Sequence, residues 1–334
     1  MMLKTGNAPY LRRTDKASYM TLDVLITLIP LCIFSSVYYG ARPVLLVLTG
    51  IGTALFSELL CCAFLRRQPA LFDGTSAVTG GLIGAMMSPM TPFWVPAIAA
   101  AFAIIVIKMP FGGTGRNVFN PAAAGMAVVT HCFPTKLFTY PDPGVLTSPL
   151  PIQDLSQTIT EISPAAQLAG GAQPVFSWTD FVIGNVPGPI GATAIVVLLA
   201  CALYLFTRRT ASPLITLSYL AVCALLAAVF PRIDVAASRS VMLELCSGYL
   251  LFAGIFLLSD PVTAPGCWLG RIVYGGLAGA LVMALRHFGR FEAAACFAVL
   301  LMNAFAPVID RWSWKLVHRL TRPLRPMEQE EGEH

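Results

Sequence analysis

The chain has 334 residues, of which 56% are hydrophobic and only 12% charged, with a formal net charge of +5. A soluble domain carries about 25% charged residues, so this composition and a mean hydropathy of +0.72 exclude a solvated globular surface and specify an integral membrane protein. The apolar residues fall in many separate runs, which points to a polytopic helical bundle and excludes a β-barrel, and the small basic excess calls for no nucleic-acid partner.

Residues 1–19 carry Lys4, Arg12, Arg13 and Lys16 and read as a cytoplasmic tail. They show no short apolar core with a small-residue cleavage site, so no signal peptide is expected. The first span is predicted over about 20–39 and the second over 43–65, stopped by Arg66 and Arg67. Asp73-Gly74-Thr75-Ser76 then opens a glycine-rich segment, 77–87, closed by Pro89 and Pro92. It is too short to cross about 30 Å of hydrocarbon as a straight helix. Glycine-interrupted segments of this kind line sites within membranes.

A fourth span, 93–107, ends at Lys108, and a glycine-rich stretch runs from Phe111 to Pro121. Its glycines permit close backbone approach to a ligand and its N–H groups suit an anion; it also reads as a plain loop before a helix. The Lys-Ser/Thr pair of a P-loop is missing, which rules out nucleotide hydrolysis on that pattern. A short fifth segment covers 122–132, and the polar stretch 133–190 reads as an extracytoplasmic loop or small cap without a core of its own.

The second half begins at Asn185-Val186-Pro187-Gly188-Pro189-Ile190-Gly191-Ala192-Thr193. A hydroxyl sits there among small residues at the mouth of the apolar run 194–206. Small residues also serve close helix packing, so the Gly-Ala-Thr triplet by itself is a weak signal. Further spans are predicted over 213–230, 241–258, 271–285 and 293–309. The eighth leads into Ser259-Asp260-Pro261-Val262-Thr263, and the tenth contains Asn303 and Pro307. A basic segment follows, and residues 328–334 form an acidic end. The organisation expected is a tail (1–19), a first membrane repeat (20–132), an extracytoplasmic loop (133–190), a second membrane repeat (191–312) and a cytoplasmic tail (313–334).

Nine cysteines are present, none in a Cys-x-x-Cys pattern or at ligand spacing from a histidine, so no metal site is expected and they read as small packing residues. With both termini cytoplasmic, sixteen of the 22 basic residues fall inside, leaving Arg42, Lys136, Arg232, Arg239, Arg286 and Arg290 outside. That bias obeys the positive-inside rule for a multi-pass membrane protein. The halves echo each other: an Asn near a Pro follows some 45 residues after each of Asp73 and Asp260. Five spans per half place the halves in opposite orientation, the pattern of an inverted repeat around a central site.

Five stretches together resemble one family: Asp73-Gly74-Thr75-Ser76; Gly112-Gly113-Thr114-Gly115-Arg116-Asn117 through Asn120-Pro121; Gly188 to Thr193; Asp260 to Pro265; and Leu301-Met302-Asn303 through Arg311. They are similar, in order and across about residues 7–319, to the D-subunit family of the Rnf electron-transport complexes. That family is related to the B subunit of the sodium-pumping NADH:quinone reductase. The resemblance implies an all-α fold of ten transmembrane helices, urea-transporter-like, and FMN esterified through its phosphate to a threonine.

Residue by residue, the resemblance puts that phosphoryl threonine at Thr193, with Gly191 and Ala192 completing the attachment motif; Ile190 stands where related sites often have Ser or Thr. It implies a flavin transferase for maturation and partner subunits A, B, C, E and G, especially the other flavin-carrying one, G. It also implies coupling of ferredoxin and NAD redox chemistry to Na+ or H+ transport. The phosphodiester charge would lie at the start of the sixth helix, where free N–H groups and the dipole favour an anion. A single flavin at the outer face leaves a long gap across about 30 Å of membrane. A further carrier, within the bundle or in a partner, is therefore expected; the resemblance implies a second, noncovalent flavin such as riboflavin, with Asp73, Asn120, Asp260 and Asn303 as candidate lining, or else as helix caps. No residue is assigned a catalytic role. Glu58 and Glu244, in or near spans, serve either an ion path or pairing inside the bundle. The rival reading is a transporter or channel for a small solute, which the inverted repeat alone would suit.

Overall fold

The computed structural model describes residues 17–66, 73–143, 160–289 and 292–321. The N-terminal tail with Lys4 to Lys16, Arg67, Arg290, and the end from Arg322 onward lie outside the described residues. Each of the ten predicted apolar runs is helical. The first half contains α1 (Ala17–Tyr39), α2 (Arg42–Leu65), α3 (Thr75–Ala85), α4 (Trp94–Phe102) and α5 (Pro121–Cys132), with α4 continuing as a π-helical turn, Ala103–Lys108. The connecting stretch holds α6 (Pro134–Leu137), a two-residue antiparallel pair β1 (Tyr140–Pro141) and β2 (Thr160–Glu161), α7 (Pro164–Ala169) and α8 (Trp178–Ile183). The second half contains α9 (Ile195–Thr207), α10 (Pro213–Val229), α11 (Ala237–Leu245), α12 (Leu250–Phe252) with a π-helical Ala253–Leu257, α13 (Trp268–Gly289) and α14 (Ala294–Thr321).

Among the described residues, α1, α2, α13 and α14 are long and apolar enough to cross a membrane singly. The pair α11 and α12 with its π turn makes a fifth candidate, bent by 65°. The remaining apolar helices are shorter. Burial supports lipid as the solvent. Leu22, Ile26, Ile29, Ile33 and Val37 form one exposed face of α1, while Asp23, Thr27 and Ser35 of the same helix are buried. That is the inverse of a water-facing helix, and polar groups within membranes turn to the bundle interior in this way.

Helix packing relies on small residues. A Cβ on Gly80 of α3 would overlap the Gly50 carbonyl of α2 and stand 2.8 Å from Ile51 Cα; one on Gly84 would stand 2.5 Å from Val47 Cα. The α10–α13 contact repeats the device, since a Cβ on Gly279 would lie 2.7 Å from the Tyr219 carbonyl oxygen. Because lipid tails are as apolar as leucine, such close backbone approach is what holds membrane helices together. Both obstacles at Gly80 are backbone, which cannot swing aside. Gly80→Ala is expected to cost about 2–3 kcal/mol through overpacking, read as a lower unfolding midpoint in detergent.

Hydrogen bonds define two faces. On one, Ile190 N–H donates to the Met87 carbonyl (3.0 Å), Gly191 N–H to Ala85 (2.7 Å), and the Tyr249 hydroxyl to Met86 (2.9 Å). This loop face also carries the described parts of the connection, 133–143 and 160–194. The opposite face gathers the starts of α1, α3 and α5, the end of α9 and the turn after the second π segment.

Candidate functional site

Thr193 lies on the loop face and is 5% exposed. Helix α9 starts later than the sequence suggests: its N-cap is Ala194, which has no side chain to cap with. Thr193 therefore precedes the helix, and its hydroxyl makes no hydrogen bond to another described residue. The first-turn N–H groups of this 13-residue helix have no side-chain cap, which leaves donors for an anion. Both features fit a phosphoester on Thr193. Gly191 is also needed for packing. Its missing Cβ would meet Ala85 Cβ and Phe252 Cε2, each at 3.0 Å, so the glycine docks the motif tightly onto α3 and α12.

The opposite face encloses a cavity of about 180 Å³ between α1, α3, α5, α9 and the second π segment. Two of the four predicted central residues, Asn120 and Asp260, line it, and a third, Asn303, is bonded to Asn120 behind the wall. Asn120 is the N-cap of α5: its Oδ1 accepts from Ala123 N–H at 3.1 Å and its Nδ2 donates to the Leu257 carbonyl at 3.1 Å. Its own N–H donates to Asn303 Oδ1 at 3.0 Å, and Asn303 Nδ2 donates to the Tyr274 hydroxyl at 3.0 Å. Asp260 lines the cavity with Asn120 and closes a turn by accepting from Val262 N–H at 3.1 Å. Asp73 is not part of the lining. It is at the rim, where its carbonyl accepts from Thr21 at 2.7 Å, and Gly74 takes the N-cap position of α3.

The cavity walls combine apolar surface (Val78, Leu82, Ile255, Phe256) with polar groups at the edge. Among these, Asn117 Oδ1 is enclosed without a hydrogen-bond partner among the described residues. Apolar walls and an orphaned acceptor at the edge fit a largely apolar ligand that carries a hydrogen-bond donor.

Buried ion pairs are the part of the interior that the sequence leaves unresolved. Lys108, which reads as a stop, is 1% exposed and donates to Thr75 Oγ1 (2.7 Å) and Ser76 Oγ (2.6 Å), with Glu58 at 3.6 Å. The π turn that ends α4 carries it inward. Glu244 is paired with both Arg232 and Arg286, whose Nη1 lies 3.1 Å from Glu244 Oε2. Arg286 also reaches the Ser247 carbonyl at 2.7 Å across the break between α11 and α12. Gly248 makes that break, with φ of 61° and no room for a Cβ beside Arg286. Asp23 accepts from Tyr204 (3.0 Å), Thr210 (2.9 Å) and Arg208 (3.2 Å). Arg42 and Arg286 are buried and the half-buried Arg232 is paired with Glu244, so half of the six basic residues assigned to the outside are structural partners and not free loop charges.

Comparison with known proteins agrees over nearly the whole chain. The D subunit of the ion-translocating oxidoreductase complex of Stutzerimonas stutzeri is 30% identical over 87% of this chain and 88% of the relative. The proteins of the same name from Halorhodospira halophila and Sodalis glossinidius are 27% and 28% identical, covering 96% and 94% of this chain and 96% and 98% of their own. A family model described as "NQR2, RnfD, RnfE family" matches residues 4–317, so the chain is a member of the NQR2, RnfD, RnfE family.

Proposed function

We propose that this chain is the D-type membrane subunit of an ion-translocating oxidoreductase (Rnf) complex, carrying FMN on Thr193 and passing electrons between partner subunits. The observation that carries the reading is the coincidence, within a family match over residues 4–317, of a threonine hydroxyl with no hydrogen bond among the described residues and a helix start without a side-chain cap. Thr193 would hold the flavin phosphate, and the α9 N–H groups would face its remaining charge. The flavin supplies the electron-carrying chemistry; the protein supplies position and electrostatics. The cavity beside Asn120 and Asp260 is the place for the second, noncovalent flavin. Asn117 would bond its ring edge, and Val78, Leu82 and Phe256 would exclude water from its faces.

In this reading the ten helical segments form two inverted five-helix repeats. The termini and the cavity face the cytosol, and the loop face looks outward from the inner membrane. Subunits A, B, C, E and G would be its partners, and electron passage would be coupled to Na+ or H+ movement. Maturation would need a flavin transferase to reach a residue now 5% exposed, which requires the 185–193 loop to open. The test is mass spectrometry of the peptide around Thr193, from protein made in cells that hold the transferase. An FMN-sized mass increment on Thr193 is expected. A bare peptide at full expression of the transferase sinks the reading and leaves the solute-channel alternative.

A further inference from the structure

The loop face holds a second enclosure, about 500 Å³, bounded by the end of α5, α6, α7 and the start of α14. It is separate from the Thr193 motif and from the opposite cavity. Its one carboxyl group among the lining residues is Glu292, in the turn before α14 and outside the membrane-spanning helices. Ser163 Oγ, the N-cap of α7, donates to Glu292 Oε1 at 2.6 Å. The phenols of Tyr140 and Tyr249, both wholly buried, flank the same carboxyl. The Tyr140 hydroxyl, and the Thr130 hydroxyl of a second lining residue, are enclosed without a hydrogen bond of good geometry among the described residues.

This surrounding suits both charge states of the carboxyl. An ionised carboxylate only accepts; Ser163 gives to it at 2.6 Å, and the Tyr140 hydroxyl beside it is otherwise unengaged among the described residues. A protonated one also donates, and the Tyr140 oxygen has a lone pair to receive that bond. Arg286, on α13, is the nearby cation, but its nitrogens are engaged by Glu244 and Ser247. His131, exposed at the end of α5, lines the same enclosure and leads to solvent.

We propose that Glu292 is a proton-exchange site of this chain, taking up and releasing one proton to the solution on the loop face through this cavity and past His131. The step moves a proton between a carboxyl oxygen and cavity water; no electron or other bond is involved. Burial raises the Glu292 pKa to about 7, and Ser163, Tyr140 and Arg286 pull against it. The site is wired to the motif. Tyr249 bonds the Met86 carbonyl, and the carbonyls on either side of Met86 hold Gly191 and Ile190. Tyr249 thus stands between Glu292 and the backbone that holds the Thr193 loop. The exchange itself does not rest on Thr193 carrying a flavin.

The test is infrared difference titration of the full chain in detergent. A carboxylic C=O band is expected to vanish with a midpoint near pH 7 and to be missing in Glu292→Gln. Ser163→Ala removes a hydrogen bond that favours the ionised form, so it keeps the band and moves the midpoint up by about one unit. That second variant decides the matter if Glu292→Gln fails to fold. A midpoint near the ordinary glutamate value of 4.5, a band that survives Glu292→Gln, or a midpoint unmoved by Ser163→Ala overturns the proposal. A folded-state pKa above the unfolded one also means that the proton stabilises the fold. The unfolding midpoint is expected to fall as pH rises from about 4.5 to about 7, and Glu292→Gln to flatten that slope.

Discussion

Thr193→Val is expected to yield a folded protein with no covalent flavin: no fluorescent band on a denaturing gel, and an intact mass equal to the polypeptide. The fold should tolerate it because nothing is left unpaired. The Thr193 hydroxyl makes no hydrogen bond to a described residue, and the methyl carbon Cγ2 is the atom packed toward Gly188, 2.9 Å from where a Cβ would stand. Valine keeps that methyl and replaces the oxygen with a group of similar size. A change within about 1 kcal/mol is expected, since the large costs of polar loss come from stranded partners. Chemistry, by contrast, is lost outright, since no other hydroxyl lies in the Gly188–Thr193 stretch. Thr193→Ser restores an acceptor and should restore the band. A fluorescent Thr193→Val chain would move the attachment to another residue, and an unfolded one would mean that the loop depends on a contact not visible in its hydrogen bonds.

Under the proposed attachment the expected loss is large because a covalent bond is either made or not, and the Gly188–Thr193 stretch on which the proposal rests is legible in the sequence. The Gly-Ala-Thr signal is local: a run of small and turn-forming residues before an apolar stretch can be read without knowing what it touches. The ten apolar runs are legible for the same reason, since hydropathy is a property of the run itself. What the sequence does not supply is partners. Lys108 follows an apolar run and looks like any basic stop. Only the π turn at 103–108, which periodicity does not announce, turns it toward Thr75 and Ser76, some 30 residues back. Glu244 could be placed in a span, but not given Arg286, 42 residues on and across a broken helix.

The matched spacing of Asn120 and Asn303 from the two Asp motifs hints at equivalent positions, and the structure joins the two asparagines directly. Asp73 has the same sequence credentials, and the chain geometry leaves it at the rim with its backbone bonded to Thr21. Membrane crossing is a further case: hydropathy marks a run as apolar, whereas length and bend decide whether it spans, and four helices among the described residues meet that measure singly.

Lys108→Met should be the most destabilising single change of charge in the first half of the bundle, at about 3–5 kcal/mol, the usual cost of stranding one member of a buried pair. The side chains of Lys108 and Glu58 are 1% and 4% exposed, so water cannot rescue the partner that remains. Glu58→Gln should cost less, because Lys108 keeps Thr75 and Ser76 as acceptors at 2.7 and 2.6 Å. In the double variant both charges are gone, so the combined loss should fall short of the sum by an interaction energy of about 0.5–3 kcal/mol. Unfolding midpoints of the four proteins in one detergent measure it; strict additivity would mean that the two charges do not sense each other.

The same lysine also orients the wall of the cavity beside Asn120. An ammonium only donates, so Thr75 Oγ1 must accept from Lys108 and is left with its own proton to offer Thr114 Oγ1, 3.1 Å away on the glycine-rich loop. Both threonines line that cavity. Removing the ammonium frees Thr75 to turn, and the loop loses its tie to α3. Lys108→Met should therefore weaken retention of any noncovalent flavin in that cavity while leaving the proposed attachment at Thr193 untouched, because Thr193 is on the opposite face and shares none of these bonds.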